Sequence, residues 1–188
     1  LATVDTVSFD EDDTLSITLS ASDVDGDDLT YSISGGTNIE ATVNGTTVNF
    51  TASQDFNGSE EFVATASDGD LSSSQSFTVT VNAVNDAPVL AAVDTVIFAE
   101  DGSLSINLSA SDVDGDELTY SVTGGDQITA TVDGTTVSFA APANYNGSEE
   151  FIATASDGDL SSSQSFTVTV NAVNDAPVLA AVDTVSFD

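Results

Sequence analysis

The chain has 188 residues, with 32 Asp plus Glu set against no Lys, Arg, His or Cys, so its formal charge of −32 has no side-chain cation to offset it. A surface without Lys or Arg releases no counterions from phosphates, so neither nucleic-acid binding nor adhesion to anionic membranes is expected. Disulfides, thiolate nucleophiles, zinc–sulfur sites, imidazole bases and Schiff-base amines are excluded with the missing residues, leaving carboxylates, amides and hydroxyls to do any chemistry. Acid-rich chains with few aromatics are often disordered, but 40% of these residues are hydrophobic and the mean hydropathy is +0.09, which favours folded domains. The longest apolar stretch, near residues 87–93, contains a proline and falls far short of the ~20 residues of a spanning helix, so no direct membrane insertion is expected.

From the N-terminus, apolar and polar residues alternate with period two, as in Leu15-Ser16-Ile17-Thr18-Leu19 and Phe77-Thr78-Val79-Thr80-Val81. This is the pattern of half-buried strands. Seven strands are predicted near residues 4–9, 15–21, 29–34, 39–43, 46–50, 61–66 and 75–81. Asn44-Gly45 between the fourth and fifth predicts a two-residue hairpin with both central residues at positive φ. At Leu90 the series starts again with an ungapped offset of 89: residues 21–27 return as 110–116 and residues 57–62 as 146–151, and the copies differ at 20 of 89 aligned positions. At Leu179 it starts a third time. The predicted organisation is all-β: two tandem β-sandwiches at 1–87 and 88–176, Ig-like Greek keys arranged end to end, then the start of a third repeat at 177–188, an excerpt from a longer array.

The acids cluster. Asp23, Asp25, Asp27 and Asp28 lie within six residues, and their counterparts are Asp112, Asp114, Asp116 and Glu117. Like charges about 6 Å apart repel by roughly 1 to 3 kcal/mol at effective dielectrics of 80 to 20. A bound cation would relieve this, and an all-oxygen ligand set on a flexible loop favours Ca2+. Taken alone, D-x-D-G-D is equally a solvated acidic turn.

Further punctuation narrows the choice. Glu11-Asp12 follows the first strand, Ala66-Ser67-Asp68-Gly69-Asp70 ends the sixth, and Asn82-Ala83-Val84-Asn85-Asp86-Ala87-Pro88 follows the last. In this order, with Ala21 to Asp25 and Leu29-Thr30-Tyr31-Ser32-Ile33, the chain resembles the cadherin repeat, and more closely the cadherin-like repeats of large bacterial RTX-type adhesins. The resemblance implies Ca2+ between consecutive repeats of one polypeptide. At the internal junction the ligands would be Glu11, Asn82, Asn85 and Asp86 with Asp112, Asp114, Asp116 and Asp157. Asp23, Asp25, Asp27 and Asp68 would face a preceding repeat; Glu100, Asn171, Asn174 and Asp175 would face a following one. The linker carries fewer charges than the family's D-x-N-D-N-A-P, its L-D-R-E motif is not found, and Asp55, near that motif's place, becomes Asn144 in the second copy. These departures leave the number of ions per junction open, with fewer than three compatible with them.

Glu60-Glu61 and Glu149-Glu150 point to opposite strand faces and are read as solvated strand starts rather than an acid–base pair. Tyr31 and Tyr120 fall on the apolar parity of their strand and are assigned to the core; Tyr145, whose counterpart is Phe56, is the one candidate for an exposed aromatic. Asn57-Gly58-Ser59 and Asn146-Gly147-Ser148 fit glycosylation acceptors, a pattern common by chance. The expected function is a non-catalytic extender of a secreted or cell-surface bacterial adhesin, stiffened by Ca2+ and monomeric in solution. The alternative is a module of a secreted protein that binds carbohydrate or a partner protein.

Overall fold

The computed structural model describes residues 1–181. Residues 182–188, most of the predicted start of a third repeat, lie outside the described residues. Two compact units emerge, Leu1–Asn85 and Asp86–Asp188, and among the described residues every regular element is a strand.

Unit 1 has the seven predicted strands: β1 (Val7–Asp10), β2 (Thr14–Thr18), β3 (Thr30–Gly35), β4 (Ile39–Asn44), β5 (Thr47–Ala52), β6 (Gly58–Ser67) and β7 (Ser72–Asn82). They form a four-stranded sheet in the order β1-β7-β6-β3 and a three-stranded sheet in the order β2-β5-β4. Unit 2 contains β8 (Val89–Leu90), β9 (Val96–Ala99), β10 (Ser103–Asn107), β11 (Ala110–Ser111), β12 (Thr119–Gly124), β13 (Thr129–Asp133), β14 (Thr136–Ala140), β15 (Gly147–Ser156) and β16 (Ser161–Asn171). Its sheets run β12-β15-β16-β9 and β10-β14-β13, with β8 and β11 as a short additional pair.

Each edge strand β1 and β9 runs parallel to the strand that ends its repeat, with Val7 opposite Val79 and Val96 opposite Val168. The inward side chains form one core per unit. Phe50, Phe62 and Phe77 meet in unit 1, and Phe139, Phe151 and Phe166 in unit 2, with ring centroids 5.3 to 6.1 Å apart. Two of the three pairs in each unit are edge-to-face, worth about 0.5–1.5 kcal/mol beyond burial.

Three details depart from the sequence reading. The first strand begins at Val7 rather than Val4, because residues 2–4 are engaged elsewhere: Ala2 N–H donates to Ser20 O at 2.8 Å. The sixth and seventh strands extend to Gly58–Ser67 and Ser72–Asn82, where Ser67 pairs with Ser72; a stretch of serines carries no apolar alternation to announce a strand. At the hairpin, Asn44 pairs with Thr47, so the loop is Gly45-Thr46 rather than Asn44-Gly45. Only Gly45 takes a positive φ there, 62°, placing glycine at the first central position as a type II′ turn requires.

Candidate metal centre

The acidic loop of unit 2 is built by its first aspartate. Asp112 Oδ1 accepts the N–H groups of Asp114 at 3.0 Å, Gly115 at 3.1 Å and Asp116 at 3.4 Å. Gly115, at φ 81°, lets the chain curl around that oxygen. The curl brings carboxylate oxygens of Asp112, Asp114 and Asp116 within 4.8 Å of one another. Asp86 joins them: its N–H donates to Asp114 Oδ2 at 2.8 Å. The second oxygen of Asp112 is buried and has no hydrogen-bond partner. A buried unpaired carboxylate oxygen costs several kcal/mol unless something compensates it, and the chain holds no side-chain cation. Oxygen ligands lie about 2.3–2.6 Å from Ca2+, so two on one ion are at most about 5 Å apart, and the three carboxylates fit that span.

Asp157 lies on the adjacent loop of unit 2, after Ser156, which pairs with Thr119 just beyond the acidic loop. Its Oδ1 accepts the N–H groups of Asp159 and Leu160 at 2.7 and 2.6 Å. Unit 1 repeats both devices. Asp23 Oδ1 accepts from Asp25, Gly26 and Asp27 at 2.8, 3.0 and 3.4 Å, and Asp68 Oδ1 from Asp70 and Leu71 at 2.8 and 2.7 Å. The N–H groups of Leu71 and Asp70 hold the Asp68 carboxyl below its ordinary value. Asp23 and Asp68 line one cavity with Leu29 and Leu71. The three-carboxylate convergence itself is found, among the described residues, at Asp112, Asp114 and Asp116 and not at Asp23, Asp25 and Asp27.

The other end of each unit carries a buried glutamate. Glu11 is 5% exposed and Glu100 7%. Each is tied to the strand that closes its repeat: Glu11 N–H donates to Asn82 O and Glu100 N–H to Asn171 O, while Glu11 Oε1 accepts from Val84 N–H and Glu100 Oε1 from Val173 N–H, both at 2.6 Å. Asn82 Nδ2 donates to Asp10 Oδ1 at 2.9 Å. Asn85 is exposed, as are Asn174 and Asp175, and Asn174 Nδ2 donates to Asp175 O at 3.3 Å. The units differ beside these glutamates. Asp12 and Asp55, both at positive φ, bring carboxylate oxygens within 4.8 Å of each other. Their counterparts are Asp101 and Asn144, where Asn144 N–H donates to Asp101 Oδ1 at 3.1 Å.

Glu60 and Glu149 are not the solvated strand starts expected of them. Glu60 accepts the N–H groups of Thr37, Asn38 and Ile39 at 2.8–3.0 Å and the Asn38 side-chain amide at 3.1 Å. Glu149 does the same for Asp126, Gln127 and Ile128, again at 2.8–3.0 Å. Tyr145, the candidate for an exposed aromatic, is half-buried against the core of unit 2 and donates its hydroxyl to Glu149 Oε1 at 3.0 Å. Tyr31 and Tyr120 are half-buried as well, each accepting a backbone N–H at 3.0 Å. The visible signal was the Gly-Gly pair before each N–H cluster: Gly125, at φ 73°, passes so close to Phe151 that an added Cβ would lie 2.4 Å from its ring. The tight loop aims three consecutive amides at one carboxylate.

Burial pushes the Glu149 carboxyl up, but the three amides and the Tyr145 hydroxyl outweigh it and hold it below its ordinary value of 4.5. Its contribution to stability is therefore complete above that value and is lost as pH falls through the depressed one. Glu149→Gln is expected to cost about 1–2 kcal/mol at pH 7, after allowing for solvent screening. The difference should shrink as pH falls through the depressed value and the parent carboxyl becomes neutral too. Urea unfolding at pH 7 and along an acid series tests this, and a cost that does not change with pH would refute it.

The family profile described as Bacterial Ig domain matches residues 1–82 and 85–171. Chitinase A of Pseudoalteromonas piscicida is 37% identical over 105 residues, covering 54% of this chain but 13% of that protein. Among solved structures, Drosophila N-cadherin EC1-4 aligns over 90% of this chain and 47% of its own, with a TM-score of 0.58 and 21% identity. Human protocadherin-24 EC1-2, form II, aligns over 90% and 95%, with a TM-score of 0.58 and 20% identity. These two likenesses are of fold.

Proposed function

Because the chain belongs to the bacterial Ig domain family, we propose that it is a non-catalytic extender: tandem repeats of a secreted or surface-anchored adhesin of the RTX type, stiffened by Ca2+ bound between repeats. The buried, unpartnered oxygen of Asp112 among three converging carboxylates carries this reading. Asp86, Asp112, Asp114 and Asp116 would hold the ion on the following repeat, with Asp157 nearby. Glu11, Asn82 and Asn85 would serve from the preceding repeat. Asp23, Asp25, Asp27 and Asp68 would act toward an earlier repeat, and Glu100, Asn174 and Asp175 toward a later one. Extracellular modules bind Ca2+ with dissociation constants of about 10⁻⁴ to 10⁻³ M, so the sites fill outside a cell and empty in a cytosol. The bound ion would supply fixed positive charge, and the chain's own part is to preorganise the oxygens by the Asp112 curl. The partners are neighbouring repeats of the same polypeptide, and the protein is a monomer at ordinary working concentrations.

The similarity to part of chitinase A supports a second reading, a spacer or carbohydrate-binding module within a larger secreted protein. Against direct sugar binding, all three tyrosines are half-buried and engaged in hydrogen bonds. Solution scattering during titration with Ca2+ and then Mg2+ separates the readings. The extender should reach a fixed maximum dimension in Ca2+ and lose it in chelator, with Mg2+ the weaker substitute. A maximum dimension and melting temperature both indifferent to chelation would remove the metal role.

A further inference from the structure

The two sheets of each unit part along one side and leave a groove there. In unit 1 it is bordered by β3, an edge of the four-stranded sheet, and β4, an edge of the three-stranded one; β12 and β13 hold the same places in unit 2. The floor is apolar. Tyr31 and Ile33 of β3 and Ala41 and Val43 of β4 are half-buried and pack on the core, as do Tyr120, Val122, Ala130 and Val132 in unit 2. At its two ends the groove of unit 1 widens into clefts, about 360 Å³ beside Tyr31 and Val43 and about 430 Å³ beside Ile33 and Ile39. Unit 2 repeats the first, at about 320 Å³ beside Tyr120 and Val132.

The opposite side of each sandwich shows what fills such a gap. There an extended segment of the same unit covers the core: Leu1 and Val4 pack on it, and Ala2 N–H donates to Ser20 O at 2.8 Å. In unit 2 Val93 packs the same way, and Ala91 N–H donates to Ser109 O at 2.9 Å. Edge strands usually carry a charge or a proline that keeps other strands away. Thr30–Gly35 and Thr119–Gly124 contain neither, and among the described residues each is paired with a neighbouring strand on one side only. The charges lie at the ends of the groove instead. In unit 1 exposed Asp28 precedes Leu29 at one end, and exposed Glu40 stands on β4 at the other. In unit 2 Glu117 and Asp133 flank one end and Asp126 the other, all exposed. A second copy would bring the same acids and a charge of −32, which opposes edge-to-edge pairing between copies. The complementary guest is basic.

We propose that β3 and β12 each accept an extended, basic segment of a partner protein as an added strand. Its main chain pairs with the open edge, apolar side chains at alternate positions cover the floor, and Lys or Arg stand over the acids at the ends. Each groove lies within one unit, so the added strand needs no metal between repeats.

The probe is a synthetic peptide as long as the six-residue edge, alternating valine and threonine, with a lysine added at each end. Mixed with the full chain in Ca2+, it should shift the backbone amides of residues 30–35 and 119–124 and slow their hydrogen exchange, read by nuclear magnetic resonance. Amides of the loops after Asp23 and Asp112 should stay as they were. A peptide ended by glutamates should bind at least ~10-fold more weakly, and one N-methylated throughout should not protect the edge. Asp28→Asn with Glu40→Gln, both at exposed positions, should weaken binding to unit 1 and leave unit 2 unchanged. Equal binding of the lysine-ended and glutamate-ended peptides overturns the proposal, as does protection by the methylated one or a response confined to the acidic loops. So does self-association through residues 30–35 without peptide, which would make a second copy the occupant.

Discussion

Phe151→Ala is expected to destabilise unit 2 by about 3–5 kcal/mol. The ring is fully buried, stacks edge-on to Phe139 at 5.5 Å and tilts against Phe166 at 5.9 Å. The space it vacates does not close easily, because the end of the ring abuts the backbone at Gly125, and the loop that follows is held by the three amides bound to Glu149. For a unit of this size 1 kcal/mol moves the melting temperature by roughly 4–8 °C, so the shift should exceed about 12 °C. Because the units have separate cores, calorimetry should show the transition of unit 2 moving down while that of unit 1 stays within a few degrees. A loss below about 1 kcal/mol would show that the site collapses freely and that the three-ring core is not what holds the sandwich.

The second large effect is the one expected from removing Ca2+, on the proposal that the repeats bind it. At a concentration 100 times the dissociation constant, each occupied site adds about 2.7 kcal/mol to folding stability, so excess chelator should lower the melting temperature by several degrees per site. Asp112→Asn separates metal binding from simple loss of structure through a reversal of sign. The amide oxygen still accepts the three N–H groups that curl the loop, but one of three like charges within 4.8 Å is gone. Each such pair costs about 1 kcal/mol even in water-like surroundings. In chelator the variant should equal or exceed the parent in stability; in Ca2+ it should be the less stable of the two. A variant that is weaker by the same amount in both media would make Asp112 a purely structural residue.

The architecture was readable because the side chains that decide it are apolar and alternate. All seven strands of the first repeat were visible in this way, and the ungapped offset carried them to the second. The missed features are those built from polar atoms. The ends of β6 and β7 are serine-rich and paired through backbone, and the turn at Gly45 depends on which residue of Asn44-Gly45-Thr46 takes positive φ. Glu60 and Glu149 looked solvated because their partners are main-chain amides, which no side-chain pattern records. Of the acids, Asp23 and Asp112 were visible as a spacing. That spacing does not reveal why Asp112, Asp114 and Asp116 converge when their counterparts in unit 1 do not.

The parallel pairing of β1 with β7, and of β9 with β16, has a mechanical consequence. Within each unit the chain enters at the start of one strand and leaves at the end of the other, the two running in the same direction. A pull on both ends therefore slides the strands along each other. The paired residues from Val7 opposite Val79 to Asp10 opposite Asn82 are loaded together in shear instead of parting one at a time. Tension must break the whole patch at once, with Phe9 and its core neighbours resisting the slip, so the paired hydrogen bonds share the load of a stretching force.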